Sequence, residues 1–344
     1  MANVLDIRRR IRSVRNTRQI TQAMKMISAA RLRRAQDRAL AARPYGQMLT
    51  NVLKSLVTRA EVYDPVTGEP KHPLLSRRPE NRILLIVVTA DKGLAGAFNA
   101  NILKAAMKFI ASKSDKDIDI EAIGRKARDF FRRRFPVQAA SAETRAGRVQ
   151  MTNERVGLGT VDFSLAHDLA KSVVERYTDE RIDSVYLVYN EFKSVIAQRL
   201  VVDEILPIEE IGAHDIRQAD ELSKDEKERR AQAAASAGVS LEEADTSEID
   251  RVASTFATKE VDYIYEQPPD ELFRGLLPKY VSVQIYRALL ESSAAEHAAR
   301  MTAMDSATNN ATDMIDSLTL KMNRARQASI TKEIIEIVSG AAAL

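Results

Sequence analysis

Residues 276–329 read LLPKYVSVQIYRALLESSAAEHAARMTAMDSATNNATDMIDSLTLKMNRARQAS. One set of positions in this stretch recurs at alternating spacings of three and four residues, which places the set on a single stripe of a helix. The stripe consists of Leu276, Tyr280, Val283, Arg287, Leu290, Ala294, His297, Met301, Met304, Thr308, Ala311, Ile315, Leu318, Met322, Ala325 and Ser329. Pro278 is tolerated in a first turn, and no further glycine or proline precedes Gly340. The pattern therefore predicts one helix from about residue 270 to about residue 339, roughly 105 Å long.

The opposite end of the chain has the same character. Residues 4–43 contain neither glycine nor proline, which predicts a helix of about 60 Å. Its apolar stripe is Val4, Ile7, Ile11 and Val14, and it continues through Arg18, Thr21, Lys25 and Ser28. A neighbouring apolar stripe of Ile20, Met24 and Ile27 is expected to take over from there. Pro44 ends the clean pattern, although residues 45–60 could resume it.

Two long helices at opposite ends of the chain, joined by a compact middle, favour an antiparallel coiled coil. The seam is weak, because Ala, Thr, Met, Ser, His and Arg stand where a strong zipper has Leu, Ile or Val. The open alternative is an ordinary long helical domain whose stripe faces a local core.

The middle of the chain alternates strand and helix signals. Residues 83–90 (ILLIVVTA) and 184–190 (SVYLVYN) are continuous apolar runs, typical of strands buried on both faces. Further strands are predicted at 118–124 and after Pro136, and helices at 99–111, 125–134 and 161–177. Residues 195–206 alternate like an antiparallel partner. The fold class is therefore α/β: a long antiparallel coiled coil plus a Rossmann-like domain with a largely parallel sheet.

Composition excludes several kinds of chemistry. The 344 residues contain no cysteine and four scattered histidines, which excludes disulfides, thiolate metal sites and a histidine-built metal cage. The loop after the first strand has Gly93 and Gly96, but it matches neither the dinucleotide-binding pattern G-x-G-x-x-G nor the P-loop ending GK[ST]. The sequence contains none of the common catalytic motifs. We expect no catalytic residue, no metal and no cofactor, and His297 is expected to be a packed polar residue.

Nothing in the sequence predicts a membrane span or a secretory leader. No apolar run approaches the roughly 18 residues that a span requires, and residues 1–13 have no apolar segment. We therefore expect a cytosolic protein.

The charge is unevenly distributed. Residues 1–45 contain 12 Lys or Arg and two acids, whereas the whole chain has a net charge of only +4. So basic an arm usually meets nucleic acid, an anionic membrane or an acidic protein surface. Residues 209–260 are acidic, with 14 acids and 7 bases. Two capping boxes, beginning at Ser223 and Ser240, predict short polar helices in that segment, while its composition is equally consistent with partial disorder.

Three stretches carry a resemblance to a known family. Residues 10–27 include RIRSVR and ITQAMKMI, residues 91–99 read DKGLAGAFN, and residues 297–311 and 323–343 read HAARMTAMDSATNNA and NRARQASITKEIIEIVSGAAA. They resemble the γ-subunit family of F-type ATP synthases over nearly the whole chain. The exception is residues 209–260, which look like an insertion relative to the short bacterial form; without cysteine, a dithiol switch there is impossible.

The resemblance implies which residues contact partners. Positions similar to those with which the family engages and couples to the β subunit are Met24, Lys25, Arg300, Gln327, Thr331 and Glu333. Positions similar to the foot that meets the c-ring and the ε subunit are Tyr263, Tyr265 and Glu266. The dense N-terminal arginines could face acidic surfaces of β.

The resemblance also implies a function. The chain would be the non-catalytic rotor shaft that couples ion-driven rotation of the c-ring to the catalytic sites of the α3β3 ring, on the cytoplasmic side of the bacterial inner membrane. Its partners would be α, β, ε and the c-ring, with the membrane reached only through the complex. The implied units are an N-terminal helix (1–60), a Rossmann-like domain (80–208), an acidic insertion (209–260), and the foot with the C-terminal helix (261–344).

Two other functions remain open on the residues alone. An unrelated coiled-coil adaptor with an α/β head would not depend on α and β. A nucleic-acid-binding protein would use the arginine-rich first helix, although that arm carries no interleaved aromatic residues, so we expect no nucleic-acid partner.

Overall fold

The computed structural model describes residues 4–57, 70–136, 147–156, 161–208, 211, 215–241 and 266–342. Two helices dominate it: α1, Val4–Val57, and α6, Pro269–Ala342. They are about 80 and 110 Å long. The predicted C-terminal helix is confirmed, with Pro278 inside it.

Helix α1 runs through Pro44, where the clean sequence pattern stops. A proline inside a helix removes one backbone hydrogen bond, so the helix needs packing on its far side to continue. Leu49, Leu53 and Leu56 provide that packing, because all three are buried against the α/β domain.

A six-stranded sheet in the order β3-β2-β1-β4-β5-β6 forms the middle. Strands β1 to β4 are parallel, and β5 and β6 are antiparallel to their neighbours. The strands are β1 Arg82–Val88, β2 Asp117–Ile123, β3 Val149–Arg155, β4 Ser184–Phe192, β5 Gln198–Leu206 and β6 Asp215–Glu221. The helices between them are α2 Phe98–Ser112, α3 Arg125–Arg134, α4 Phe163–Thr178 and α5 Lys224–Ala237, with a short 3-10 turn at Pro73–Leu75. The predicted α/β class with a largely parallel sheet is confirmed.

The acidic segment after residue 208 contains one strand that the sequence does not predict. Strand β6 reads DIRQADE, with no alternation of apolar and polar residues that would predict it, and among the described strands it pairs with β5 at the end of the sheet. Helix α5 follows as the first capping box predicts: Glu226 N donates to Ser223 Oγ at 3.3 Å, and Gly238 ends the helix at φ +65°. The helix predicted after Ser240 lies outside the described residues.

Helices cover both faces of the sheet, and the two long helices pass from one face to the other across the ends of its strands. Helices α2 and α3 pack on one face and α4 on the other. Residues 273–289 of α6 belong to the core on the α4 side, and residues 294–301 belong to the core on the α2 side. Helix α6 therefore passes from one face to the other beside β4, which it contacts.

The loop after β1 is held by its own polar side chains. Thr89 Oγ1 accepts from Ala127 N at 2.8 Å, and Asn99 Oδ1 accepts from Ala90 N at 2.9 Å. Gly124 has φ +90°, and a Cβ there would lie 2.2 Å from the Thr89 carbonyl oxygen. Glycine is needed at this turn for geometry alone.

Candidate functional site

The two long helices run antiparallel in one register, which confirms the predicted pair. The hydrogen bonds of Thr308 to Thr21 and of Lys25 to Asp305 set the register. In the same register, Ile11 and Ile315 share one apolar cluster, and Gly46 lies beside Val283. The residue numbers of the partners on α6 decrease as those on α1 increase, so the two helices are antiparallel. The apolar cluster at one end also contains Val14, Leu318, Met322 and Ala325. We call this paired region, residues 7–46 of α1 with residues 283–325 of α6, the shaft.

A buried ion pair lies in the middle of the shaft. The Lys25 ammonium is 2.9 Å from Asp305 Oδ1 and 2.9 Å from the hydroxyl of Ser236, which belongs to α5. The two charged side chains are only 11% and 13% exposed. Removing one partner of such a pair leaves an uncompensated charge out of water, so the pair resists opening.

Lys25 therefore has its charge paired within the chain, and the engagement of the β subunit that the resemblance implies stays a prediction. Lys25 lies on the stripe of α1 that faces α6, where Asp305 supplies the opposite charge. Three helices, α1, α5 and α6, meet at this contact.

The expected change of apolar stripe on α1 is wrong. Ile20 and Ile27 are 60% and 53% exposed, and Met24 between them is half-buried. The polar stripe keeps the interface because its members find polar partners: Thr308 Oγ1 donates to Thr21 Oγ1 at 2.8 Å. The two isoleucines instead lie on the outer surface of α1.

Beyond Ala325, helix α6 continues with no other described part of the chain packed against it. Every described side chain from residue 326 onward is exposed, over a length of about 25 Å. Large apolar residues on this lone end are 48–71% exposed: Ile330, Ile334, Ile335, Ile337 and Val338. A contiguous exposed apolar surface of this kind marks a site of interaction with another protein.

Gln327, Thr331 and Glu333 lie on this lone end and are exposed. The Thr331 hydroxyl donates to the Gln327 carbonyl oxygen at 2.9 Å, and Ser329 Oγ lies 3.3 Å from Glu333 Oε1. These are local contacts within one helix, so the side chains can also be reached by another protein.

Exposed arginines follow the outer surface of α1. They are Arg8, Arg9, Arg10, Arg12, Arg15, Arg31, Arg33, Arg34 and Arg38. Arg9 lies 3.8 Å from Asp6, with both side chains largely in water. Such a surface attracts an acidic partner over long distances and at many angles.

Arg300 is buried and joins α6 to the loop after β1. Its Nη2 donates to Glu296 Oε1 at 2.7 Å, and to the carbonyl oxygens of Gly93 and Lys92 at 3.3 and 3.4 Å. The side chain is 8% exposed. The guanidinium is thus bonded inside the chain, and the engagement of β that the resemblance implies for Arg300 stays a prediction.

His297 lies beside Arg300, with its Nδ1 3.5 Å from Arg300 Nη1. Burial, together with the positive charges of Arg300 and Arg31, lowers the pKa of His297 to about 4. The imidazole is therefore neutral at pH 7 and packs as a polar residue. Among the described residues, no three His, Asp or Glu side chains are grouped as metal ligands.

Of the predicted foot, Glu266 is described and is exposed. Tyr263 and Tyr265 lie outside the described residues. In the part of the chain that the structure covers, no helix has the length and apolar character needed to cross a membrane.

Comparison of the sequence with known proteins gives full-length matches. A sequence model of the family described as ATP synthase matches residues 3–344. A relative from Solibacter usitatus, named ATP synthase gamma chain, is 49% identical over 344 residues, which are 100% of this chain and 99% of the relative. A relative of the same name from Anaeromyxobacter sp. is 42% identical over 347 residues, covering all of both chains.

Two solved structures share the fold. A chain of the Tetrahymena thermophila mitochondrial ATP synthase central stalk and c-ring structure matches with a TM-score of 0.52 and 23% identity, over 84% of this chain and 99% of that one. A chain of the Euglena gracilis mitochondrial ATP synthase matches with a TM-score of 0.54 and 17% identity, over 99% and 94%.

Proposed function

The chain belongs to the ATP synthase gamma chain family, and we propose that it is the central rotor shaft of such an enzyme. In this role it turns inside a ring of α and β subunits and couples ion-driven rotation of the c-ring to ATP synthesis or hydrolysis on β. Membership of the family removes the reason to favour an unrelated adaptor. The chain itself performs no chemistry, and its angular position sets the state of each catalytic site.

One observation carries the proposal: a long antiparallel pair of helices ends in a single helix with an apolar surface. The shaft combines length with torsional stiffness, because two helices in one register must twist together. The lone end, with Ile334, Ile335 and Ile337 exposed, needs a surrounding protein that excludes water. A ring of subunits around the end of α6 meets that need.

Gln327, Thr331 and Glu333 are proposed to contact this ring, and their exposure on the lone end supports the assignment. Met24 is proposed to contact β together with the exposed Ile20 and Ile27 on the same surface of α1. The side chains offered to the ring are therefore apolar on α1 and polar or acidic on the lone end of α6.

Lys25 and Arg300 are proposed to act on coupling from inside the chain. Lys25 holds α1 to α6 and α5, and Arg300 holds α6 to the loop after β1. Both contacts fix the shaft to the α/β domain, so that the two turn as one rigid body. Torque applied to the domain is then transmitted directly to the helices.

The foot is proposed to meet the c-ring and the ε subunit through Tyr263, Tyr265 and Glu266. The exposure of Glu266 supports this assignment. In a bacterial cell, the complex would hold the chain at the cytoplasmic side of the inner membrane.

The rotor role is tested by watching the chain turn. Because the sequence has no cysteine, Lys171→Cys on the exposed surface of α4 gives a single labelling site. A bead attached there, with the α and β subunits immobilised, is expected to rotate in one direction while ATP is hydrolysed. A bead that only fluctuates about a fixed angle, in a complex that hydrolyses ATP at its full rate, would exclude the rotor role.

A further inference from the structure

A cavity of about 520 Å³ opens beside the shaft, between α2, α5, β5 and α6. It lies at the carboxyl edge of the parallel strands, next to Asn190 near the end of β4 and Gly96 in the loop after β1. Strands β1 and β4 are neighbours whose helices, α2 and α4, lie on opposite faces. Open α/β sheets bind ligands at such a point, where the strand order reverses.

Helix α6 covers the crevice at the end of β1 and leaves only a small cavity there. Val88 and Thr89 at the end of β1 share a small cavity with Glu296, His297 and Arg300 of α6. Helix α6 thus takes the place that a ligand occupies in related sheets, whereas the larger cavity on the α2 side stays open.

Arg230 of α5 is the buried charge of this larger cavity. It is 8% exposed, and its Nη1 donates to Gln198 Oε1, a neutral acceptor. Within the described residues Arg230 forms no ion pair. Burial lowers the pKa of Arg230, and Glu226 offsets this in part. A buried guanidinium that donates to a neutral acceptor, with only a longer-range attraction to Glu226, is costly, and a bound anion would relieve that cost.

Three exposed cations line the same cavity: Lys104 and Lys108 on α2, and Arg229 on α5. The walls also carry three carboxylates, Asp220, Glu221 and Glu226. Glu221 is 3.3 Å from Lys227. The cavity therefore offers donors for an anionic group and acceptors for amino or hydroxyl groups, in a volume typical of small-molecule sites.

We propose that this cavity binds a phosphorylated small molecule of nucleotide size. Its phosphate is held by Arg230 and attracted by Lys104, Lys108 and Arg229, and its amino or hydroxyl groups bond to the carboxylates. The site does not depend on the rotor role. Because α2, α5 and α6 all form its walls, the bound molecule would hold α5 against the shaft.

The test is calorimetric titration of the full chain with ADP, pyrophosphate, inorganic phosphate and adenosine. ADP is expected to bind at one site, with weaker binding of pyrophosphate and of inorganic phosphate in that order, and none of adenosine. Adenosine binding as tightly as ADP, or no ADP binding at about 1 mM, the weak limit of a specific site, would overturn the proposal. Pyrophosphate binding as tightly as ADP would overturn the nucleotide size.

Two variants localise the site. Arg230→Gln is expected to weaken ADP binding at least about tenfold, because a charge-assisted hydrogen bond is lost. Lys108→Glu is expected to weaken it about tenfold by repulsion. Lys171→Glu, an equal charge change on exposed α4, should have no effect. Lys108→Glu lies on the surface and does not threaten the fold, so equal affinity in Lys108→Glu and Lys171→Glu would place any ADP binding elsewhere.

Discussion

Single polar residues decide how the shaft is held together. Lys25 and Asp305 lie in a seam where most coiled coils have leucine or isoleucine, and Ser236 adds a hydroxyl from a third helix. A buried polar contact in a seam usually sets register rather than adding stability. The pair therefore explains how a weakly apolar seam still holds one alignment of α1 on α6.

Removing one member of the pair should destabilise the chain strongly. Lys25→Met leaves the Asp305 carboxylate buried, and we expect the free energy of unfolding to fall by about 3 kcal/mol, as for other broken buried pairs. Urea unfolding of the full chain measures the change. The double variant Lys25→Met, Asp305→Leu should recover most of the loss. A double variant as unstable as the sum of the two single ones would contradict the buried pair.

His297 makes stability depend on pH. Its pKa is about 4 in the folded chain and near 6.5 when unfolded, so the unfolded chain binds a proton first as the pH falls. The contribution is fully present above about pH 6.5 and is lost as the pH falls toward 4, by up to roughly 3 kcal/mol. Arg31, Arg300, Glu296 and Asp91 line the same small cavity.

The comparison that isolates this effect is the wild-type chain against His297→Gln. The carboxylates around the site are present in both proteins, so their titration largely cancels in the difference. The stability of wild type relative to His297→Gln should decline below pH 6.5. A difference in stability that is constant between pH 7.5 and 5 would show that His297 takes up its proton as readily in the folded chain as in the unfolded chain.

At the scale of elements, the part of α6 in the shaft and its lone end differ in what surrounds their side chains. Ile315 is 7% exposed in the shaft, whereas Ile335 is 59% exposed on the lone end. Helix α6 has the same isoleucine side chain in both places, so the two positions form a matched pair.

Ile315→Ala should reduce the stability of the isolated chain by about 2–4 kcal/mol, because it leaves a cavity in the shaft. Ile335→Ala should change that stability by less than about 0.5 kcal/mol, since its side chain is in water. In the assembled complex, Ile335→Ser should instead impair coupling between ATP hydrolysis and ion pumping. Equal losses of stability in the two alanine variants would show that the lone end is packed within the chain.

The sequence predicts elements well where period and length agree. The stripe from Leu276 to Ser329 is regular enough to predict α6, and the run at residues 83–90 is apolar enough to predict β1. Ser223 and Gly238 mark the two ends of α5. Each of these signals is local, so no knowledge of distant neighbours is needed.

Signals fail where a distant partner decides. The polarity of Thr21 and Lys25 suggests that the stripe of α1 leaves the interface, but Thr308 and Asp305, far along the chain, keep it there. Strand β6 is formed by pairing with β5 alone. The sequence contains one indication of the buried ion pair, which is the position of Lys25 on the stripe that faces α6. A charged side chain at an interface position needs an opposite charge on the facing helix.

For the whole molecule, the account rests on α1 and α6 turning as one rigid body. The shaft crosses the ends of the strands, contributes to the cores on both faces, and is joined to the α/β domain by Arg300. The described part of the shaft has no break in the pairing at which α1 could slide along α6. Torque on the domain is therefore transmitted along the whole shaft to its lone end.

A disulfide across the shaft tests this most directly. The Thr21 and Thr308 hydroxyl oxygens are 2.8 Å apart, so Thr21→Cys with Thr308→Cys should oxidise readily in the assembled complex, and the chain has no other cysteine to compete. We predict that the cross-linked shaft rotates during ATP hydrolysis as fast as the reduced one. Failure of the cross-link to form, or rotation that stops on oxidation and returns on reduction, would contradict a rigid paired shaft.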